Sequence, residues 1–269
     1  MRLSVVILTK NEEAIIGGCL KSVRQLADEI LVVDSRSTDK TLEIAKNFRA
    51  KIYSEDFKDF SERRNLGLKK SLGDWILYVD ADERVTDSLR ENIRYQISLR
   101  PELTPRVHSE ELRARANIKY EDIAAYKIRR KNFYLGNHEW PYIEKLERLF
   151  RKDRLKGWRG ELHENPIIEG QVGELDGFLL HYAHRDLTSM LEKTIEWSKI
   201  EANLRFKAEH PPVTRLRLAK IMLVTFWRYF FNQKGWKAGT VGLIESIYQS
   251  FSMFITYARL WEKQGQEEQ

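Results

Sequence analysis

Three short, nearly continuous apolar runs, at residues 3–8, 30–33 and 75–79, constrain what this chain can fold into more than any other feature. Each is too short for a buried helix and rich in branched or aromatic side chains, the pattern of a strand covered on both faces. Between them, apolar residues recur at helical spacing. Ile15, Ile16, Leu20, Val23 and Leu26 mark a helix over residues 13–26. A second runs from Ser37 or Thr38, as N-cap, to about Asn47, and a third covers residues 60–72, with Gly73 as its stop. A short strand at residues 51–53 separates the last two. This β-α-β-α-β-α-β order predicts an α/β fold with a mostly parallel, Rossmann-like sheet and right-handed crossovers.

Ligands of such sheets bind beyond the carboxyl ends of the strands. Three ends carry polar groups here: Thr9-Lys10-Asn11-Glu12, Asp34-Ser35 and Asp80-Ala81-Asp82-Glu83. No G-x-G-x-x-G follows the first strand, and no G-x-x-x-x-G-K-[ST] occurs anywhere. With both glycine-rich phosphate cradles missing, a diphosphate held at this edge has to be neutralised mainly by a metal. Asp80 and Asp82 on alternate positions, with Glu83 as a third carboxylate, make an oxygen-rich site for Mg²⁺ or Mn²⁺. The competing role for Asp82 or Glu83 is to cap the helix that begins near Thr86.

After that helix, residues 100–120 form a charged stretch with Pro101 and Pro105 and no clear period, expected to be a loop excursion. Strand patterns return at residues 124–130, 146–151 and 177–182. From Asp186 onward the pattern is helical, with a stop at Pro211-Pro212 and two more helices behind it. The expected division is a catalytic domain over residues 1–184 and a helical extension over 185–269. The first comprises a nucleotide-binding half, 1–99, and an acceptor half, 121–184. One cysteine, Cys19, excludes an intrachain disulfide and reads as a small helix residue near the core, consistent with a reducing compartment. The apolar start is too short for a signal peptide and is followed by Lys10-Asn11-Glu12-Glu13, so a cytoplasmic location is expected.

The net charge of +6 favours phosphorylated or anionic partners, and its distribution is more specific than its size. Residues 214–237 hold Arg215, Arg217, Lys220, Arg228, Lys234 and Lys237 without one acid, interleaved with Phe226, Trp227, Tyr229, Phe230 and Phe231. The last helix repeats Ile244, Ile247, Tyr248, Phe251 and Ile255, with Glu245, Gln249, Ser252 and Thr256 on the other side. This amphipathic pair suits peripheral contact with an anionic leaflet. Glu245 and Gln249 argue against a spanning helix. The same stripes also suit internal packing or a homodimer. No helix-turn-helix, zinc-finger or RNP-like pattern supports nucleic-acid binding.

Four segments together, SVVILTKNEE, DEILVVDSRSTDKT, RRNLGLKKSLGDWILYVDADE and KNFYLG…RLFRK…WRGELHE…LLHY, resemble the family 2 inverting glycosyltransferases of the A-type nucleotide-sugar-binding fold. The similarity is greatest to the bacterial branch that builds the lipopolysaccharide core. The resemblance implies a nucleoside-diphosphate sugar donor, with UDP favoured, and a glycan or glycolipid acceptor at the cytoplasmic face of the inner membrane. It places Thr9 and Glu12 beside the nucleotide, Asp34 on the base, Arg64 near ribose and phosphates, Asp80 on the ribose and Asp82 on the metal. His181 is a further metal-ligand candidate, although a histidine inside an apolar strand is more often a hydrogen-bonded core residue. Inverting transfer needs a base for the acceptor hydroxyl. Glu164 in the His-Glu motif is the candidate, Glu161 its rival, and His163 would orient Glu164 or the acceptor. The other readings are a nucleotidyltransferase, which would need a glycine-rich or basic loop where Thr9-Lys10-Asn11-Glu12 stands, and a non-catalytic nucleotide-sugar or membrane-binding scaffold.

Overall fold

The computed structural model describes residues 2–57, 59–98, 122–161 and 164–266; the excursion expected at 100–120 lies outside them. Two compact units form. One comprises Met1–Arg130 and Glu144–His181, the other Lys131–Ile143 and Tyr182–Gln269.

In chain order the first unit begins β1 (Leu3–Thr9), α1 (Ile16–Val23), β2 (Glu29–Asp34), α2 (Thr41–Asn47), β3 (Lys51–Ser54), α3 (Phe60–Lys70) and β4 (Trp75–Asp80). There follow β5 (Glu83–Val85), α4 (Asp87–Ser98), β6 (Ile123–Tyr134), β7 (His138–Arg151), β8 (Leu155–Arg159), β9 (Asn165–Ile168) and β10 (Gln171–His184). Eight strands make one sheet in the order β3-β2-β1-β4-β7-β6-β10-β5, while β8 and β9 pair separately. The β3-β2-β1-β4 part is parallel, as the crossover helices require; β7 joins β4 antiparallel, and β5 joins β10 antiparallel. The fold is therefore α/β with a large mixed sheet.

The apolar runs are continuous because both sheet faces are covered. Val5, Ile7, Val32 and Leu77 face α1 residues Ile16, Cys19, Leu20 and Val23. Val6, Leu8, Val33 and Tyr78 pack with Phe150 and Trp158 on the other side. Cys19 is fully buried, and burial pushes its thiol well above the ordinary cysteine range, so it stays a packed thiol.

The start of α2 and the end of α3 differ from expectation. Helix α2 starts at Thr41, because Ser37 is drawn to Asp34, the Thr38 N–H donates to Asn11 Oδ1 at 2.8 Å, and the Asp39 carboxylate accepts from the Thr41 N–H at 3.0 Å. Helix α3 is capped by Asp59, whose carboxylate accepts from the Glu62 N–H at 2.9 Å. Gly73 does not stop α3, whose C-cap is Ser71. Instead it lets the chain pass close to β1: a Cβ there would stand 2.7 Å from the Ser4 backbone nitrogen. Gly73→Ala is expected to cost about 2 kcal/mol, because the obstruction is backbone that cannot step aside; urea denaturation measures it.

The second unit carries α5 (Leu187–Lys207), α6 (Arg215–Trp227), a π-helical turn (Arg228–Asn232), a 3₁₀ turn (Gly235–Ala238) and α7 (Gly239–Gln266). Its N-caps are Asp186 for α5 and Thr214 for α6. The polar side of α7 faces inward: Glu245, Ser246, Ser250 and Thr256 are buried, while Leu243, Ile247 and Phe251 are exposed. The buried polar groups are satisfied. The Glu245 carboxylate meets His184 Nδ1 at 3.0 Å and accepts from Gln249 at 2.8 Å. The Ser250 hydroxyl donates to the Met222 carbonyl at 3.0 Å, and Thr194 meets the Tyr248 hydroxyl at 2.8 Å. Among the described residues, no helix is long and apolar enough to cross a membrane.

Candidate active site

Parallel register gathers the site. Thr9 pairs with Asp34 across β1 and β2, and Leu8 pairs with Asp80 across β1 and β4, so the polar strand ends share one edge. Thr9 is buried with no hydrogen-bond partner for its hydroxyl among the described residues. The Asp34 carboxylate is fully buried and accepts from the Ser37 N–H at 3.0 Å, the Ser54 hydroxyl at 2.6 Å and the Ser37 hydroxyl. It thus ties β2 to β3 and to the following turn. The Glu12 N–H donates to Thr41 Oγ1 at 2.8 Å, fixing the loop after β1 against α2.

The acidic tetrapeptide divides into two parts. Asp80 and Glu83 belong to an arginine cluster. Arg148 Nη2 lies 2.7 Å from Asp80 and 2.9 Å from Glu83, and Arg130 reaches Glu83 at 2.9 Å and Glu144 at 2.6 Å. The Asp80 N–H donates to the other Glu83 oxygen at 3.0 Å. Glu83 is therefore fully buried and committed to two guanidinium groups. Burial on its own would raise the Asp80 pKa, but Arg148, and after it Arg64, outweigh burial and hold the carboxyl well below the usual range.

Asp82 turns the other way and meets His181. Pairing of β5 with β10 sets His181 opposite Glu83, leaving His181 Nε2 3.4 Å from Asp82 Oδ2. Among the described residues, no three His, Cys, Asp or Glu side chains cluster as a metal site. Asp82 and His181 thus offer one oxygen and one nitrogen. That donor set suits a divalent cation whose remaining ligands come from solvent or a phosphorylated ligand.

Glu164 is brought to the same edge from the far side. Its Oε1 lies 2.6 Å from Arg64 Nε, and Arg64 Nη2 stands 3.5 Å from Asp80. The Arg64 guanidinium sits over the rings of Trp158 at 4.8 Å and Tyr78 at 5.5 Å, and its Nη1 is buried without a hydrogen-bond partner among the described residues. The neighbouring Asn65 instead clamps the Trp158 backbone, donating at 3.0 Å and accepting at 2.8 Å. Glu161 has an exposed side chain, and its carbonyl accepts from the Phe60 N–H at 3.3 Å. His163 lies outside the described residues.

Arg148 and Arg130 went unread in the sequence. For Arg148 the available signal was period-2 alternation, which puts it on one strand face with Leu146 and Phe150.

Residues 4–100 match the model of Glycosyl transferase family 2. They form a glycosyltransferase family 2 domain. The chain is 27% identical over 274 residues to the lipopolysaccharide core biosynthesis glycosyltransferase LpsC of Rhizobium meliloti, covering 97% of this chain and 92% of that one. It is 26% identical over 274 residues to an uncharacterized glycosyltransferase of Rickettsia typhi, covering 97% and 87%. Among solved structures, S. aureus TarS 1-349 in complex with UDP-GlcNAc aligns with TM-score 0.46 and 13% identity, covering 100% of this chain and 93% of that one. The family 2 match spans β1 to α4, the segment that carries Thr9, Asp34, Arg64, Asp80 and Asp82.

Proposed function

We propose that this glycosyltransferase moves a sugar, with inversion, from a UDP-type donor to a lipopolysaccharide-core or other lipid-linked glycan at the cytoplasmic face of the inner membrane. The observation that carries the reading is the Asp82–His181 pair at the carboxyl edge of the parallel strands, beside Asp80 and Thr9. The full-length relationship to a lipopolysaccharide core glycosyltransferase supports the acceptor class.

In this reading Thr9, Glu12 and Asp34 hold the base and ribose side of the nucleotide, with Asp80 at the ribose. Asp82 and His181 hold Mg²⁺ or Mn²⁺, which when bound offsets the charge of the diphosphate leaving group. Arg64 supplies a cation beside it, and its unpartnered Nη1 is placed to donate to a phosphate oxygen. Glu164 accepts the acceptor's hydroxyl proton as that oxygen bonds to the anomeric carbon. The bond from that carbon to the diphosphate breaks, and its electron pair leaves with the diphosphate. Because Glu164 starts out ion-paired with Arg64, it becomes a competent base as the donor's phosphates draw on the same guanidinium.

Thermal denaturation with a panel of nucleoside-diphosphate sugars and Mn²⁺ tests the reading. A donor at about a hundred times its Kd is expected to raise Tm by about 5 °C or more. Asp82→Ala is expected to lose the Mn²⁺-dependent part of that rise. A wild-type protein unmoved by every sugar nucleotide would overturn the assignment.

A further inference from the structure

Beside an ordinary apolar core of Ala202, Val213, Tyr257 and Leu260, the stretch of α7 from 243 to 251 is built with its polarity inverted. In a water-soluble bundle the apolar stripe of each helix faces its neighbours and the polar residues face out. Here α7 buries Glu245, Ser246, Ser250 and Thr256 while Leu243, Ile247 and Phe251, one stripe at i, i+4 and i+8, stay exposed. Helix α5 packs Thr194, Ser198 and Ala202 inward beside Met190. Helix α6 buries only Thr225 and exposes Leu216 at 83%, Leu223 at 70% and Trp227 at 59%. In that stretch, small and hydroxylated residues lie between helices and large apolar ones outside, the arrangement of helices that pack in lipid.

The exterior also carries its own charge selection. From His210 to Ile244 the sequence has no acidic residue, and Arg215, Lys220, Arg228, Lys234 and Lys237 are exposed among the apolar side chains. A helix with basic residues flanking exposed leucine and tryptophan lies in the interface plane of an anionic bilayer. Among the described residues, no helix has the length and apolarity to span.

We propose that α6 and α7 are embedded in an anionic leaflet through Leu216, Leu223, Trp227, Leu243, Ile247 and Phe251, with the basic residues on the headgroups. The proposal deepens the membrane-face reading above and rests on it. It differs in naming acyl-chain burial of particular side chains rather than charge attraction alone.

The test uses the full chain with vesicles of phosphatidylcholine, with and without phosphatidylglycerol. Flotation is expected with the anionic vesicles. Leu223→Glu and Ile247→Glu, both on the outside of the bundle, are expected to weaken it about tenfold each with little change in Tm, the order expected for withholding one aliphatic side chain from lipid. Vesicles brominated on the acyl chains are expected to quench tryptophan fluorescence, and Trp227→Phe to remove part of that quenching. Should wild type float while both glutamate variants float equally well, the protein is held by charge and the embedding proposal fails. Should the variants instead convert a dimer to a monomer in sedimentation without changing flotation, the occupant is a second copy and the proposal is overturned. Should wild type fail to float at all, the membrane-face reading falls and the embedding with it.

Discussion

Arg148→Met is expected to destabilise the protein by about 3–5 kcal/mol, the cost of breaking a buried ion pair by removing one partner. Arg148 is nearly inaccessible and holds Asp80 at 2.7 Å and Glu83 at 2.9 Å with the same nitrogen. Methionine fills much of the volume but leaves two carboxylates that approach each other through the Asp80 N–H contact with Glu83. Arg130 still neutralises Glu83, and Arg64 is a longer, 3.5 Å partner for Asp80, so Asp80 loses more. The pH dependence follows from sign. Asp80 is held below its unfolded pKa, so its contribution is fully present above the ordinary aspartate range and is lost as pH falls through the lower, folded value. Removing Arg148 narrows that gap. The stability difference between wild type and variant, measured by urea denaturation, is therefore largest near neutral pH and shrinks in acid.

That cluster also marks where the sequence stops being legible. Strands β1, β2 and β4 could be read because burial on both faces leaves no polar position to confuse the period. Their order then placed Thr9, Asp34 and Asp80 on one edge, and the register keeps them there. The start of α2 was misread because Ser37 and Thr38 are good caps in isolation; Asp34, three residues back, engages Ser37 locally, and the fold brings Asn11 to Thr38. Strands β8 and β9 escaped notice because they are short, and Gly157 and Pro166 interrupt them. Glu83 looked like a metal ligand beside Asp82. Its true partners, Arg130 and Arg148, lie 47 and 65 residues away, and no local pattern announces them. In α7 the helical period was plain, but period alone does not say which side is buried. The habitual assignment of apolar to inside is reversed at residues 243–251 of this helix and holds at Tyr257 and Leu260.

Glu164→Gln is expected to lower kcat by about 10²–10⁴-fold while sparing donor binding, the range for loss of a positioned general base. Glutamine keeps the shape and can still accept from Arg64, so folding is expected to persist. It cannot take a proton. The ion pair adds a second, opposite expectation. In wild type a donor phosphate competes with Glu164 for Arg64, whose Nε is only 2.6 Å from the carboxylate. Neutralising Glu164 removes the competitor, so UDP should bind Glu164→Gln about tenfold more tightly in the presence of Mn²⁺, the scale of one charge-assisted hydrogen bond. A general loss of negative charge near the diphosphate would also tighten binding, and the Arg64→Gln background separates the two. There the exchange has no partner, and Glu164→Gln should leave UDP affinity nearly unchanged. Calorimetric titration of the four proteins completes the cycle. Equal tightening in both backgrounds would assign the effect to long-range charge. Undiminished kcat in Glu164→Gln would move the base elsewhere, with Glu161 the next residue to replace.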